Sequence, residues 1–145
     1  MSLTDVLDKV IAIVKKDTNL KGVYFGDQSA YSAYPVACVG TGEPFMLDEN
    51  FPVIAQHTAR DEKYTVGILI LQKFEDTEAN AKSIITLTET MRNALRADMK
   101  PPLHPLGGYC YEADLGNSKF VWGTKGEILL RISLTLINYT KRITT

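Results

Sequence analysis

The first sixteen residues hold a stripe of six apolar side chains at the spacing of one helix face. These residues are Leu3, Val6, Leu7, Val10, Ile11 and Val14. Because residues three and four apart share a face of an α-helix, the spacing predicts a helix over residues 3–16 with one buried side. Ser2 is suited to cap its N-terminus, and Lys15 and Lys16 suit the negative end of its dipole.

Three segments typical of strands follow this helix. Residues 23–25 and 34–39 predict two short strands. Proline lacks a backbone N–H group, so we expect Pro35 at the start of the second strand or at a sheet edge. Residues 64–74 have apolar side chains on both faces of the strand pattern. This indicates a strand in the middle of the sheet.

A second helix is expected to begin at Asp76 or Thr77 and to end before the prolines at 101 and 102. Its apolar face is formed by Ile84, Leu87, Thr88, Met91 and Leu95. A strand pattern resumes at residues 109–112.

The C-terminal region predicts a long β-hairpin. Residues 120–122 and 127–141 form its arms, and the glycine-containing stretch 123–126 is the expected turn. One face of the second arm is mixed, and the other is wholly apolar. The apolar face carries Ile128, Leu130, Ile132, Leu134 and Leu136.

The order of these elements predicts the fold class. Helix, strands, helix and strands in succession are typical of an α+β fold. We expect a single domain over residues 1–145, with a mostly antiparallel sheet, two main helices packed on one face, and a long C-terminal β-hairpin.

The segment 40–62 mixes two glycines and two prolines with several large apolar residues. Apolar residues in a long loop often mark a surface that a partner buries. The alternative is a strand over residues 51–58 that packs on the protein's own core. The pattern favours neither interpretation over the other.

Charge and composition narrow the classes of partner. Sixteen Lys and Arg residues against seventeen Asp and Glu give a net charge of −1, so no bulk field attracts nucleic acid or anionic lipid. The longest apolar run, residues 66–71, is far shorter than the roughly 20 residues of a membrane-spanning helix. Without an evident export signal, we expect synthesis inside the cell and no membrane anchor.

The common catalytic and nucleotide-binding motifs do not fit the sequence. Residues 40–42 begin like a dinucleotide fingerprint, but Phe45 stands where a third glycine is required. His57, Asp61 and Glu62 lie close together and could act as an acid–base pair or as metal ligands. Their spacing matches no known ligand pattern, and a solvated polar loop is the favoured interpretation.

The two cysteines, Cys38 and Cys110, lie among apolar neighbours, which favours buried, reduced thiols. The sequence therefore predicts no catalytic, cofactor-binding or metal-binding residues. Tyr31 and Tyr34 lie in a polar turn that favours exposure, and the single tryptophan, Trp122, could anchor a protein interface.

The layout of the chain resembles that of a known protein family. The likeness runs through the N-terminal helix, the short strands to Val39 and the irregular segment to Glu62. It continues through the helix containing Met91-Arg92-Asn93-Ala94-Leu95 with its proline-rich break, and through a hairpin ending in Leu130-Arg131-Ile132-Ser133-Leu134-Thr135-Leu136. Over nearly its whole length the chain resembles the small tail-terminator and tail-completion (head-to-tail joining) proteins of tailed bacteriophages.

This resemblance implies a structural virion protein and not an enzyme. Such proteins form a ring, usually of six subunits, that caps the tail tube, stops its polymerisation and docks the head or neck. The implied partners are further copies of the chain, the tail-tube protein and a neck or head completion protein. DNA would pass through the ring without sequence-specific binding, and the protein would reside in the tail or neck of the virion.

Five residues are expected at contacts between subunits or with the tube. Phe45, Met46, Phe51 and Trp122 would supply apolar contacts, and Lys125 would lie at a polar rim. These residues follow from their apolar or hairpin positions and not from a family motif.

Three other functions fit the sequence. A neck connector adaptor or a minor tail or baseplate protein would have a similar fold. A small α+β enzyme or ligand-binding domain would bring His57, Asp61 and Glu62 together in a pocket under the 40–62 segment. A regulatory dimer formed through an exposed sheet edge would have two-fold symmetry.

Overall fold

The computed structural model describes residues 3–28, 30–41, 56–57, 60–102 and 104–142. These contain helices α1 (Leu3–Val14) and α2 (Glu78–Asp98) and a short 3₁₀ segment (Pro105–Gly108). The strands are β1 (Gly22–Phe25), β2 (Val36–Thr41), β3 (Gln56–His57), β4 (Asp61–Lys73), β5 (Glu112–Lys125) and β6 (Ile128–Arg142).

The strands form one sheet in the order β1-β2-β4-β6-β5. Only the β1–β2 pair is parallel among these neighbours, and the other pairs are antiparallel. Short β3 pairs with Glu62 and Lys63 at the start of β4. It lies along the same edge of β4 as β2, which pairs with residues 66–71. The expected central strand is confirmed, because β4 lies between β2 and β6. Its odd and even residues are buried on opposite faces of the sheet.

Both helices pack on one face of this sheet, as expected for the α+β class. The apolar stripes of α1 and α2 share a buried cluster with Val66, Ile68 and Ile70 of β4 and with Tyr139 of β6. The cluster on the opposite face contains no residue from either helix. Apolar burial on two faces accounts for the apolar residues on both sides of β4.

Helix α2 begins where its sequence predicts. Thr77 is the N-cap, and its hydroxyl accepts a hydrogen bond from the backbone N–H of Asn80 at 3.1 Å. Farther along, the buried hydroxyl of Thr88 lies 2.8 Å from the carbonyl oxygen of Ile84 and 2.8 Å from Ser133 Oγ on β6. This pair fixes the position of α2 over the mixed face of β6.

The wholly apolar face of β6 lies on the side away from the helices. Leu130 and Leu134 are buried there with residues of β2 and β4. The connection between β1 and β2 covers part of this face through Tyr31 and Tyr34, which are partly buried against it. The expectation that these two tyrosines are exposed is therefore wrong, because the parallel β1–β2 connection has to cross the sheet face.

The structure moves two expected boundaries in the hairpin. Lys125 pairs with Ile128, so the turn is formed by Gly126 and Glu127 and not by residues 123–126. Gly126 has a φ of 64°, which glycine adopts without strain. Strand β5 also runs unbroken from Glu112 to Lys125, with an irregularity between Leu115 and Ser118. An edge strand tolerates polar side chains that face solvent. Because such residues interrupt the apolar alternation of β5, the sequence did not predict a strand over its full length.

Other boundaries differ by a few residues. Helix α1 ends at Val14 and not at Lys16, and β2 covers Val36–Thr41 and not residues 34–39. The proposed cap Ser2 lies outside the described residues. Of the alternative strand at 51–58, β3 contains two residues, and the others lie outside the described part. No helix in the described ranges combines the length and the apolar character needed to cross a membrane.

Candidate protein interface

The expected interface residues divide into two groups. Phe45, Met46 and Phe51 lie outside the described residues. Trp122 and Lys125 both lie on β5, the last strand of the sheet on that side. The described part of the expected interface is therefore the outer edge of β5.

Three consecutive residues of β5 leave apolar side chains in solvent. Phe120 is 48% exposed, Val121 39% and Trp122 73%. Phe120 and Trp122 pair with Ser133 and Arg131 of β6, which places them on the helix side of the sheet. Val121 lies on the opposite face. We call these three residues the edge patch.

Helix α2 forms the wall beside the edge patch. Arg92 donates from Nη1 to the carbonyl oxygen of Gly116 at 2.6 Å and to Ser118 Oγ at 3.0 Å, so this side of α2 faces β5. Desolvation and the nearby Arg96 lower the pKa of Arg92. Ile85 lies two helical turns before Arg92 on the same side and is 45% exposed. It extends the apolar surface from the strand onto the helix.

The strand beneath Trp122 is held by polar contacts. Its neighbour Arg131 on β6 donates from Nε to Asn80 Oδ1 at 2.7 Å and from Nη2 to the carbonyl oxygen of Glu75 at 3.2 Å. The Arg131 guanidinium also lies 4.3 Å from the centre of the Phe74 ring. These contacts connect β6 to the start of α2, so the strand that pairs with the edge patch is held in position.

Lys125 is engaged inside the molecule. Its ammonium lies 3.0 Å from both carboxylate oxygens of Asp27, which follows β1. The Lys125 and Asp27 side chains are only 19% and 9% exposed. The ammonium also lies 5.4 Å from the centre of the Tyr31 ring. Lys125 therefore joins the hairpin to the β1–β2 connection.

Tyr31 links this ion pair to a buried thiol. The Tyr31 hydroxyl donates to Asp27 Oδ1 at 2.5 Å, accepts from the backbone N–H of Gln28 at 2.8 Å and lies 2.9 Å from Cys38 Sγ. Burial and the hydrogen bond to Asp27 raise the pKa of Tyr31 above its ordinary value. Burial also raises the pKa of Cys38 to about 11, so the thiol stays protonated at neutral pH and is a poor nucleophile.

The group expected for an enzyme is partly described. His57 pairs with Glu62 across β3 and β4, and Asp61 precedes Glu62 and so points to the opposite face. Both carboxylates accept a hydrogen bond from a tyrosine hydroxyl: Glu62 from Tyr64, and Asp61 from Tyr111. The His57 side chain lies outside the described part of the structure. In the described part, no three His, Cys, Asp or Glu residues gather where they could hold a metal ion.

Sequence reasoning selected Trp122 but missed Phe120, Val121 and Ile85 as parts of the same surface. A signal was present, because residues 120–122 are three successive apolar residues where a half-buried strand alternates. Such a run has side chains on both faces, and on an edge strand both faces can be exposed. Neither a comparison with protein-family models nor one with curated proteins gave a match to this chain.

Proposed function

We propose that this protein is a structural subunit of a tailed-bacteriophage virion, of the tail-terminator or tail-completion type. Copies of the chain close into a ring, usually of six, on the end of the tail tube. The ring stops further polymerisation of the tube and gives the head or neck a surface for docking. The function contains no chemical step.

The exposed edge patch is the observation that carries the assembly role in this proposal. Soluble proteins avoid long apolar edge strands, because their free backbone groups and apolar side chains invite pairing with another chain. Phe120, Val121 and Trp122 lie together on such a strand. Aromatic residues of this kind are enriched among the residues that dominate binding energy in protein interfaces.

The rigidity of the surface also supports an assembly role. Contacts from Arg92 and Arg131 hold the strands behind the edge patch. A surface that is ordered before binding loses less conformational entropy when a partner covers it. The phage role itself rests on the layout resemblance, and the structure has the same order of helix, strands, helix and hairpin.

The test measures assembly with the cognate tail-tube protein. Sedimentation velocity gives the mass of the purified protein alone and with tubes, and negative-stain microscopy shows the tube ends. We expect caps on tube ends and an end to tube growth. Uncapped tubes that grow to the same length with and without the protein would contradict the proposal.

A matched pair of variants tests the role of the edge patch. Replacing both Phe120 and Trp122 by serine should leave the fold intact, because Trp122 is largely exposed and Phe120 is about half exposed. The replacement should abolish capping. Lys82→Ala is the control, since Lys82 lies exposed on α2 and its ion pair among the described residues is with Glu78 on its own helix. It should cap tubes as well as the unmodified protein does.

A further inference from the structure

The edge of β5 carries similar residue types at two of the three positions on either side of Val121. On either side of Val121 stand the aromatic residues Phe120 and Trp122. Lys119 and Gly123 follow, and then the hydroxyl residues Ser118 and Thr124. The β5–β6 register is regular over all seven residues, because the irregularity ends at Ser118. This stretch pairs with β6 on one side, and none of the described residues pairs with its other side.

We propose that, before it meets the tail, the free protein is a two-fold dimer in which β5 pairs antiparallel with β5 of a second copy, centred on Val121. In this register Phe120 of each copy lies opposite Trp122 of the other. Aromatic residues opposite each other on one face stabilise antiparallel strand pairs. The hydroxyl residues Ser118 and Thr124 also lie opposite each other. The inference rests on the proposed role of the edge patch in self-association.

Charge favours the same register. Lys119 of one copy lies opposite Gly123 of the other, and glycine leaves room for the lysine stem. The two Lys119 residues are then four positions apart along the strands, roughly 13 Å, so their repulsion is largely screened at physiological salt. Lys125 is neutralised by Asp27 within its own chain. Lys119 of one copy is also a diagonal neighbour of Lys125 of the other, whose charge Asp27 offsets, so the pairing brings no two uncompensated like charges together.

The helices leave space for this pairing. A two-fold axis perpendicular to the sheet keeps both α2 helices on one face, with the aromatic pairs between them. Ile85 lies on the side of α2 that faces β5 and is exposed, so it lines the resulting groove. On the other face, the two Val121 side chains meet at the axis.

The size of the contact makes the dimer reversible. Exposed side-chain surface at Phe120, Val121 and Trp122 amounts to roughly 300 Å² per copy, since a whole aromatic residue presents 150–250 Å². Two copies bury well below the 1,200 Å² typical of stable interfaces. An isologous contact is also closed, because it uses the same edge of both copies. In solution the second copy thus covers the edge patch, and binding to the tail end displaces this copy.

A cysteine at the symmetry axis tests the register. Facing residues in an antiparallel pair have Cα atoms about 4.5 or 5.5 Å apart, within the range of a disulfide. After mild oxidation, Val121→Cys should therefore give a covalent dimer on a non-reducing gel. The native Cys38 and Cys110 are buried and should not interfere.

Lys119→Cys is the matched control. It lies on the same edge and the same face, but its copies would be four residues apart and too far to bridge. The proposal is overturned if Val121→Cys stays monomeric, or if both variants crosslink equally. Val121 is partly exposed, so the substitution leaves the fold intact.

The fluorescence of the single tryptophan gives an independent measurement in the unmodified protein. Trp122 is the only tryptophan in the chain. With increasing protein concentration, its emission should shift to shorter wavelength and its quenching by acrylamide should fall. Both changes should be absent in Val121→Lys, which places two charges at the axis. Emission that does not change with concentration would count against the dimer.

Tube capping separates this inference from the proposed function. Capping is measured with the unmodified protein, and crosslinking with Val121→Cys. Specific crosslinking with no capping by the unmodified protein would support the dimer and overturn the phage role. Capping by the unmodified protein without specific crosslinking of Val121→Cys would overturn the dimer alone.

Discussion

Lys125 and Asp27 form an ion pair that joins the two edge strands of the sheet. Lys125 lies on β5 and Asp27 follows β1, yet the ammonium lies 3.0 Å from the carboxylate oxygens. Four strand spacings would separate these edges by roughly 19 Å in a flat sheet. The face away from the helices is therefore closed by the β1–β2 connection, which meets the end of the hairpin above β2, β4 and β6.

A double-mutant cycle should show that this pair is coupled. Asp27→Asn removes the charge but keeps an acceptor for the Tyr31 hydroxyl, and it leaves a largely buried ammonium without its counterion. We expect the free energy of unfolding to fall by about 3 kcal/mol. Lys125→Met leaves the carboxylate unpaired and should also destabilise the protein.

The double variant is the informative one. With both charges removed, its loss of stability in urea unfolding should be smaller than the sum of the single losses by about 1 kcal/mol or more. Strictly additive losses would mean that the ion pair contributes nothing beyond its separate side chains.

Two glycines of β5 should respond differently to alanine. A Cβ atom at Gly116 would lie 2.8 Å from the backbone carbonyl oxygen of Leu136, which cannot move without disturbing β6. At Gly123 the nearest atom is Cδ1 of Ile132 at 3.3 Å, the end of a flexible side chain. Gly116→Ala should therefore lose about 2 kcal/mol, and Gly123→Ala less than about 1 kcal/mol, in thermal or urea unfolding. Equal losses would contradict this packing.

The sequence predicts the elements well because their periodicity is local. Residues close together in the chain determine the apolar stripe of α2 and its cap at Thr77. The same holds for β4, which has apolar residues on both faces. Strand β5 was harder to predict, because Asp114, Gly116 and Asn117 interrupt its apolar pattern around the irregularity. An edge strand is stabilised by pairing along one side only, and such pairing leaves little trace in its own sequence.

Long-range contacts explain the remaining differences. The wholly apolar face of β6 does not itself reveal that it faces away from the helices and towards Tyr31 and Tyr34. That arrangement depends on the parallel pairing of β1 and β2, which are separated by a ten-residue connection. The contact of Lys125 with Asp27 spans 98 positions in the chain, so no local pattern could predict it.

Stability should fall on the alkaline side because of the buried thiols. Burial raises the pKa of Cys38 and Cys110 to about 11, from an ordinary value of 9.0. Between these pH values the unfolded chain has lost thiol protons that the native protein keeps, so stability decreases as pH rises. Each thiol should contribute a loss on the order of 2 kcal/mol by pH 11.

Urea unfolding at pH 7, 9 and 10.5 would measure this decline. Burial also raises the pKa of Tyr31, Tyr64 and Tyr139, and these groups act in the same direction at higher pH. In a Cys38→Ala, Cys110→Ala variant the decline above pH 9 should therefore be shallower without vanishing. An unchanged slope would show that the thiols are not responsible.

The hydroxyl pair between α2 and β6 gives a matched comparison of two threonines on one helix. Thr88 and Thr86 both bond to the carbonyl oxygen four residues earlier, at 2.8 Å to Ile84 and 3.1 Å to Lys82. Only Thr88 is buried and also contacts Ser133 Oγ. Thr88→Val leaves the buried Ser133 hydroxyl without this partner, so we expect a loss of about 1–3 kcal/mol. Thr86→Val should change stability by less than about 0.5 kcal/mol, because Thr86 is exposed.

Adding Ser133→Ala to Thr88→Val should recover part of the lost stability, since it removes the Ser133 hydroxyl that Thr88→Val leaves without this partner. Chemical unfolding of the three variants measures each difference. If Thr86→Val and Thr88→Val lost the same amount, the bond to the preceding turn would explain both. The contact with Ser133 would then contribute nothing to holding α2 against the sheet.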